Sequence, residues 1–251
     1  MTNSTLPHAP TRFHHEGHGV PGWPEISVGL LVALTFLALT PVVLSGASDP
    51  TPELTGLLLM TWSVVVPFAG FTAAALVRRR GAHTFGIRRV SWTWIAAAVA
   101  LGIGAFLLKG FVNMAVIALT GFEENAQGSY YDAAGSGPLL LVATVLTISI
   151  LVPIGEELLF RGVLMRGLLR YGAVVAVIVS SIVFALFHGV NMALPSALIV
   201  GLVAGEVTRR SNSVWPAVVV QYRSSSFSAE RPEPSVATRL SAENSPGSPG
   251  G

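Results

Sequence analysis

Long apolar runs separated by short polar stretches leave this chain few ways to fold. The runs cover about Ile26 to Leu44, Leu54 to Val77, Trp92 to Leu119, Leu139 past Pro153 to about Arg170, Ala173 to Phe187, and Leu194 to Val207. A seventh begins at Val214 and stops after Val220. About twenty apolar residues in helical form cross a bilayer core, where lipid forces every backbone group to find its partner within the protein. Charged residues are only 11% and mean hydropathy is +0.64, against about a quarter charged in soluble domains. The expected fold is an all-α, polytopic transmembrane helix bundle of about six to seven spans.

The polar segments organise the chain. Residues 1–25 form a polar, His-rich tail, 26–137 the N-terminal helices, 138–220 a second group of helices, and 221–251 a Ser/Pro-rich tail. That last stretch lacks an apolar run and is expected to be disordered. The N-terminus has neither a basic start nor an early apolar core, so the first span is expected to anchor the chain uncleaved. Arg78, Arg79, Arg80, Arg88 and Arg89 share one loop, while Thr120 to Pro138 contains no Lys or Arg. Arg166, Arg170, Arg209 and Arg210 continue the alternation. The bias of basic residues toward the cytoplasm then predicts a cytoplasmic N-terminus. These clusters lie beside spans, which argues against nucleic acid as a partner and for the lipid bilayer. The absence of Cys removes disulfides, thiol nucleophiles and thiolate metal sites.

Two charged elements interrupt the apolar pattern. In Pro153-Ile154-Gly155-Glu156-Glu157-Leu158-Leu159-Phe160-Arg161-Gly162, two carboxylates and a guanidinium lie within a span. Each costs roughly 3 kcal/mol near the bilayer centre on insertion scales, so such residues face the bundle interior and have a task. Glu157 and Arg161 share a helix face and are expected to pair, although Arg161 could instead snorkel to the interface. Glu156 points about 100° away and is the freer carboxylate, a candidate general base. In Phe184-Ala185-Leu186-Phe187-His188, the imidazole ends the next apolar helix. With a turn at Tyr171-Gly172, Glu156 and His188 lie roughly 23 and 25 Å from it along antiparallel helices, at nearly one depth. Lys109 in the third span is a further candidate, with snorkelling the favoured role. Asn113 and Asn191 are expected to hydrogen-bond between helices. His14-His15-Glu16-Gly17-His18 lacks the His-Glu-x-x-His spacing and is read as tail.

A carboxylate pair with an imidazole can activate water for peptide hydrolysis, directly or through a metal. There is no Gly-x-Ser-x-Gly or His-Glu-x-x-His element. Glu156-Glu157-x-x-x-Arg161 followed by Phe184-x-x-x-His188 resembles the first two motifs of the CAAX-processing and bacteriocin-processing (CPBP, or Abi) intramembrane proteases. The stretch Arg210 to Ala217 resembles the approach to their third motif. The resemblance implies about eight helices around a cavity reaching into the membrane, a bacterial cell membrane as location, and a protein or peptide substrate, prenylated in eukaryotic members. By the same resemblance Glu156 activates water, Glu157 orients it with Arg161 as partner, and His188 binds the water or, together with Glu156, a zinc ion.

The third motif of that family is His-x-x-x-Asn. Here Gln221 stands at the His position and Ser225 four residues later. Gln exchanges no proton and is a poor metal ligand, so activity is placed in doubt. The abrupt change after Val220 suggests a tail out of register with its ancestral coding sequence, which the nucleotide sequence of the locus tests. Two alternatives stay open: a non-catalytic membrane binding or immunity protein on the same scaffold, and a proton-coupled transporter using Glu156, Glu157 and His188 as a relay.

Overall fold

The computed structural model describes residues 19–46, 51–121, 128–191 and 193–226. The His14 to His18 cluster, Glu123, Glu124 and the chain beyond 226 lie outside the described residues. The rest is helical: α1 (Trp23–Ser45), α2 (Pro52–Arg78), α3 (Trp92–Thr120), α4 (Gly128–Gly135), α5 (Pro138–Tyr171), α6 (Ala173–Phe187), α7 (Ala193–Ser211) and α8 (Trp215–Ser226). Helices α1, α2, α3 and α5 are long and apolar enough to cross a membrane, and α6 is a shorter apolar helix of 15 residues. The chain is therefore a polytopic helical membrane protein. A break at Leu39 divides α1, two residues before Pro41, whose ring removes a helix donor.

Helix α5 is the axis of the bundle. Every residue from Glu157 to Leu168 is buried, and Leu159, Phe160, Val163, Leu164 and Met165 form one core with Phe85, Ala176 and Phe184. The outer helices carry the opposite pattern. Leu107, Phe111 and Met114 of α3 are 64%, 69% and 66% exposed, and Leu139 and Val174 also point outward. In a soluble protein such a surface would aggregate; facing lipid, it is the expected exterior.

Small residues bring the helices close. A Cβ on Gly70 of α2 would lie 2.7 Å from the Gly29 carbonyl of α1. Without a hydrophobic drive between helices in lipid, such close backbone packing carries association. Gly172, at φ +104°, makes the turn between α5 and α6 that the sequence placed there.

One end of the bundle gathers the arginines. Arg80 Nε donates to the buried Glu25 at 2.7 Å, and Arg166 donates to the Thr84 carbonyl and to Asn212 at 3.0 and 2.8 Å. Arg170 donates to the Pro21 carbonyl, while Ser213 Oγ donates to the Arg88 carbonyl at 2.9 Å. The basic loops thus meet on one side, as their alternation along the sequence requires.

Two expectations need correction. The run that ends at Val220 in the sequence belongs to a helix that continues to Ser226. Tertiary packing extends it: α8 lies on α3, where a Cβ on Gly102 would meet the Val220 carbonyl at 3.0 Å and Arg223 Cβ at 2.7 Å. Gly102→Leu should therefore push α8 off α3 and cost about 1–3 kcal/mol, visible as a lower unfolding temperature in detergent. An unchanged temperature would contradict this close approach. The second correction concerns the Thr120 to Pro138 loop, which contains α4. This helix is anchored to α2 by Tyr130 and Ser63, whose hydroxyls are 3.0 Å apart.

Candidate active site

The chemistry-bearing part of α5 is a single α-helical stretch, Val152–Glu157, between two wider-wound π-helical stretches, Thr147–Leu151 and Leu158–Met165. Such windings recur at functional sites because they re-aim side chains within a helix. Gly155 lets α2 approach: a Cβ there would meet the Phe68 ring at 2.8 Å and the Pro67 ring at 3.0 Å.

Glu157 and Arg161 are both fully buried, with Arg161 Nη1 2.9 Å from Glu157 Oε1. Arg161 Nη2 donates to the Gly201 carbonyl of α7 at 3.0 Å, and its guanidinium lies 4.4 Å from the centre of the Phe184 ring. Arg161 therefore does not snorkel. It ties α5 to α6 and α7 through an ion pair, a carbonyl and an aromatic face. Neither oxygen of Glu157 makes an aligned hydrogen bond among the described residues, so the pair holds by charge more than by direction.

Glu156 turns the other way, into a cavity of ≈ 330 Å³. Its walls include Trp62, Ser63, Pro67, Tyr130, Phe187 and His188. His188 Nε2 is 3.8 Å from Glu156 Oε1. The depth match between α5 and α6 is thus realised as a side-chain meeting. His188 Nδ1 lies 2.9 Å from the Phe184 carbonyl. A carbonyl only accepts, so Nδ1 carries a proton and Nε2 is the ring nitrogen turned to Glu156. Phe184 supports two neighbours, with its ring under Arg161 and 4.6 Å from the His188 ring centre.

The third element comes from α8. Gln221, 6% exposed, donates from Nε2 to Glu156 Oε2. The position at which the third motif was expected therefore does reach the carboxylate, with an amide in place of an imidazole. Residues 138–222 match the profile of the Rce1-like family, described as type II CAAX prenyl endopeptidase Rce1-like. Over this segment, about a third of the chain, the sequence is similar to that family. The matched segment contains Glu156, Glu157, Arg161, His188 and Gln221. No curated protein and no solved structure matches the chain.

Other sequence expectations resolve differently. Lys109 borders a small cavity with His188 and Gln221. Asn191 works locally: Nδ2 donates to the His188 carbonyl at 3.0 Å and Oδ1 accepts from the Ala193 amide at 2.8 Å, which caps α7 and fixes the segment after His188. Asn113 Oδ1 is buried without a hydrogen-bond partner among the described residues. Ser63 and Tyr130 line the main cavity although nothing in their sequence context marks them, because they reach it from helices distant along the chain.

Proposed function

We propose that the chain is an intramembrane endopeptidase of the CAAX-processing type, with Glu156 as the base that activates water. The observation that carries this reading is the meeting of Glu156 and His188 at one cavity within the Rce1-like segment. A water held between Glu156 Oε1 and the free lone pair of His188 Nε2 has both protons accepted and its own lone pair aimed at a substrate carbonyl. Glu156 takes one proton as the oxygen bonds to the carbonyl carbon. When the C–N bond breaks, the nitrogen takes that proton back. Arg161 keeps Glu157 and the surrounding turn in place. The substrate is a protein or peptide at the membrane, and the apolar walls suit a prenylated segment. The basic end of the bundle faces the cytoplasm on the charge rule.

Zinc does not fit this set of donors. A catalytic zinc takes three protein ligands and a water, whereas Glu156 and His188 supply two and the neighbouring side chain is the Gln221 amide. Among the described residues no group of three His, Cys, Asp or Glu side chains comes together.

A second reading draws on one specific observation. The amide of Gln221 occupies Glu156 Oε2, so the site could bind a peptide terminus without turning it over. Cleavage of a prenylated CAAX peptide library by the purified protein in detergent separates the two. Site-specific cleavage is expected; binding with no cleavage of any member favours the second reading. Gln221→His should raise turnover by about tenfold or more, since an imidazole can donate to the developing oxyanion and exchange a proton. Turnover equal to or below the parent's would show that the amide is not what limits the site.

A further inference from the structure

The arginines gathered at one end of the bundle do not all meet an acid. Glu25 takes Arg80 at 2.7 Å and Arg78 at 3.7 Å, and Glu206 takes Arg209 and Arg210 at 2.6 and 2.5 Å. Arg88 and Arg166 pair with no carboxylate among the described residues. Arg166, 6% exposed, donates to the Thr84 carbonyl and to Asn212 Oδ1. Arg88 donates from Nη2 to the His83 carbonyl at 3.3 Å, and its Nε is buried without a hydrogen-bond partner among the described residues. The two lie close enough for the charge of one to act on the other. Their acceptors are all neutral, so two repelling cations are drawn from water with no charge to offset them. Such an arrangement is costly unless an anion completes it.

The backbone holds the pair in place. Gly86, at φ +73°, lets the loop between α2 and α3 close over Arg166, where a Cβ would meet Nη1 at 2.9 Å. The Val214 amide donates to the Gly86 carbonyl at 3.1 Å and Ser213 Oγ to the Arg88 carbonyl at 2.9 Å, which ties this loop to the one between α7 and α8. A guanidinium only donates, so Asn212 turns Oδ1 to Arg166 and leaves Nδ2 as a further donor. The level is that of lipid headgroups. Trp92, just after Arg89, is 84% exposed, and at the same end the Trp23 indole donates to the Tyr171 hydroxyl at 2.8 Å. Aromatic rings of this kind gather at the membrane interface.

We infer that Arg88 and Arg166, with Asn212 beside them, bind the phosphate of an anionic lipid headgroup. Guanidinium forks match phosphate oxygens in pairs, and basic pockets between membrane helices take such headgroups. The chemistry recognised is that of a phosphate; the interfacial rings select the lipid over a soluble ion. A purely structural Arg166 that pins the loop explains its own two bonds and leaves Arg88 unexplained. The site stands apart from the endopeptidase reading and survives its failure.

Native mass spectrometry of the full-length protein in detergent, titrated with phosphatidylglycerol or phosphatidylcholine, tests the site. Phosphatidylglycerol should bind about tenfold or more tightly, as a charge-assisted hydrogen bond implies, because the choline of the other lipid returns a positive charge to the arginines. Arg88→Gln should remove most of that preference. Arg79→Gln takes the same charge from an exposed residue at the end of α2 and should leave the preference nearly unchanged. Equal losses in the two variants would reveal a diffuse field of charge and overturn the site. Equal affinity of the parent for both lipids, or a preference that survives Arg88→Gln, overturns it as well. Inorganic phosphate is the second probe. If it raises the unfolding temperature of the parent but not of Arg88→Gln, while the two lipids bind alike, the ligand is a soluble phosphate and the lipid assignment falls.

Discussion

On the proposed endopeptidase reading, Glu156→Gln is expected to lower kcat for a cleaved peptide by about 10²–10⁴-fold, the range contributed by a positioned general base. The substitution keeps the shape of the side chain and removes its ability to take a proton. Three features make this the largest catalytic effect expected in the molecule. Glu156 opens onto the main cavity, its Oε1 faces His188 Nε2 at 3.8 Å, and its Oε2 is already engaged by Gln221. Glu157 cannot take over, because it is fully buried against Arg161. Because substrate contacts are untouched, KM should change little. Steady-state kinetics on the best peptide from the library decide the matter. Residual kcat within threefold of the parent would remove Glu156 from the role of base.

Arg161→Leu is expected to produce the largest loss of stability, about 3–5 kcal/mol, because it strands a buried carboxylate. Arg161 is fully buried and holds three partners: Glu157 at 2.9 Å, the Gly201 carbonyl at 3.0 Å and the Phe184 ring. Its removal leaves Glu157 without the cation and frees α7 from α5. The double variant Glu157→Gln with Arg161→Leu should recover much of the loss, since the uncompensated charge is then gone. Thermal unfolding in detergent reads both. A single variant as stable as the parent, or a double variant no better than the single, would mean that the pair does not hold the helices together.

Gln221 shows how packing can defeat a composition argument. The sequence changes character after Val220, and a reading residue by residue ends the helix there. In the bundle, Gly102 gives α8 a close seat on α3, and the helix continues through Gln221 to Ser226. This extra length carries the Gln221 side chain to Glu156. The tail's composition was legible; the neighbour able to hold one more helical stretch was not.

Membrane character, the helical class and the positions of most helices follow from the sequence alone, because a bilayer imposes length and polarity rules on contiguous residues. The Glu157–Arg161 pair follows from helical spacing, and the meeting of Glu156 with His188 follows from hairpin arithmetic, since both depend on local geometry. Tertiary structure decided the rest. Arg161 could have reached the interface or the interior, and only the Gly201 carbonyl and Phe184 ring, supplied by other helices, select the interior. Lys109, Ser63 and Tyr130 reach the cavities from α3, α2 and α4. Their roles depend on how helices far apart in the chain rotate against one another, and no local period in the sequence encodes that rotation.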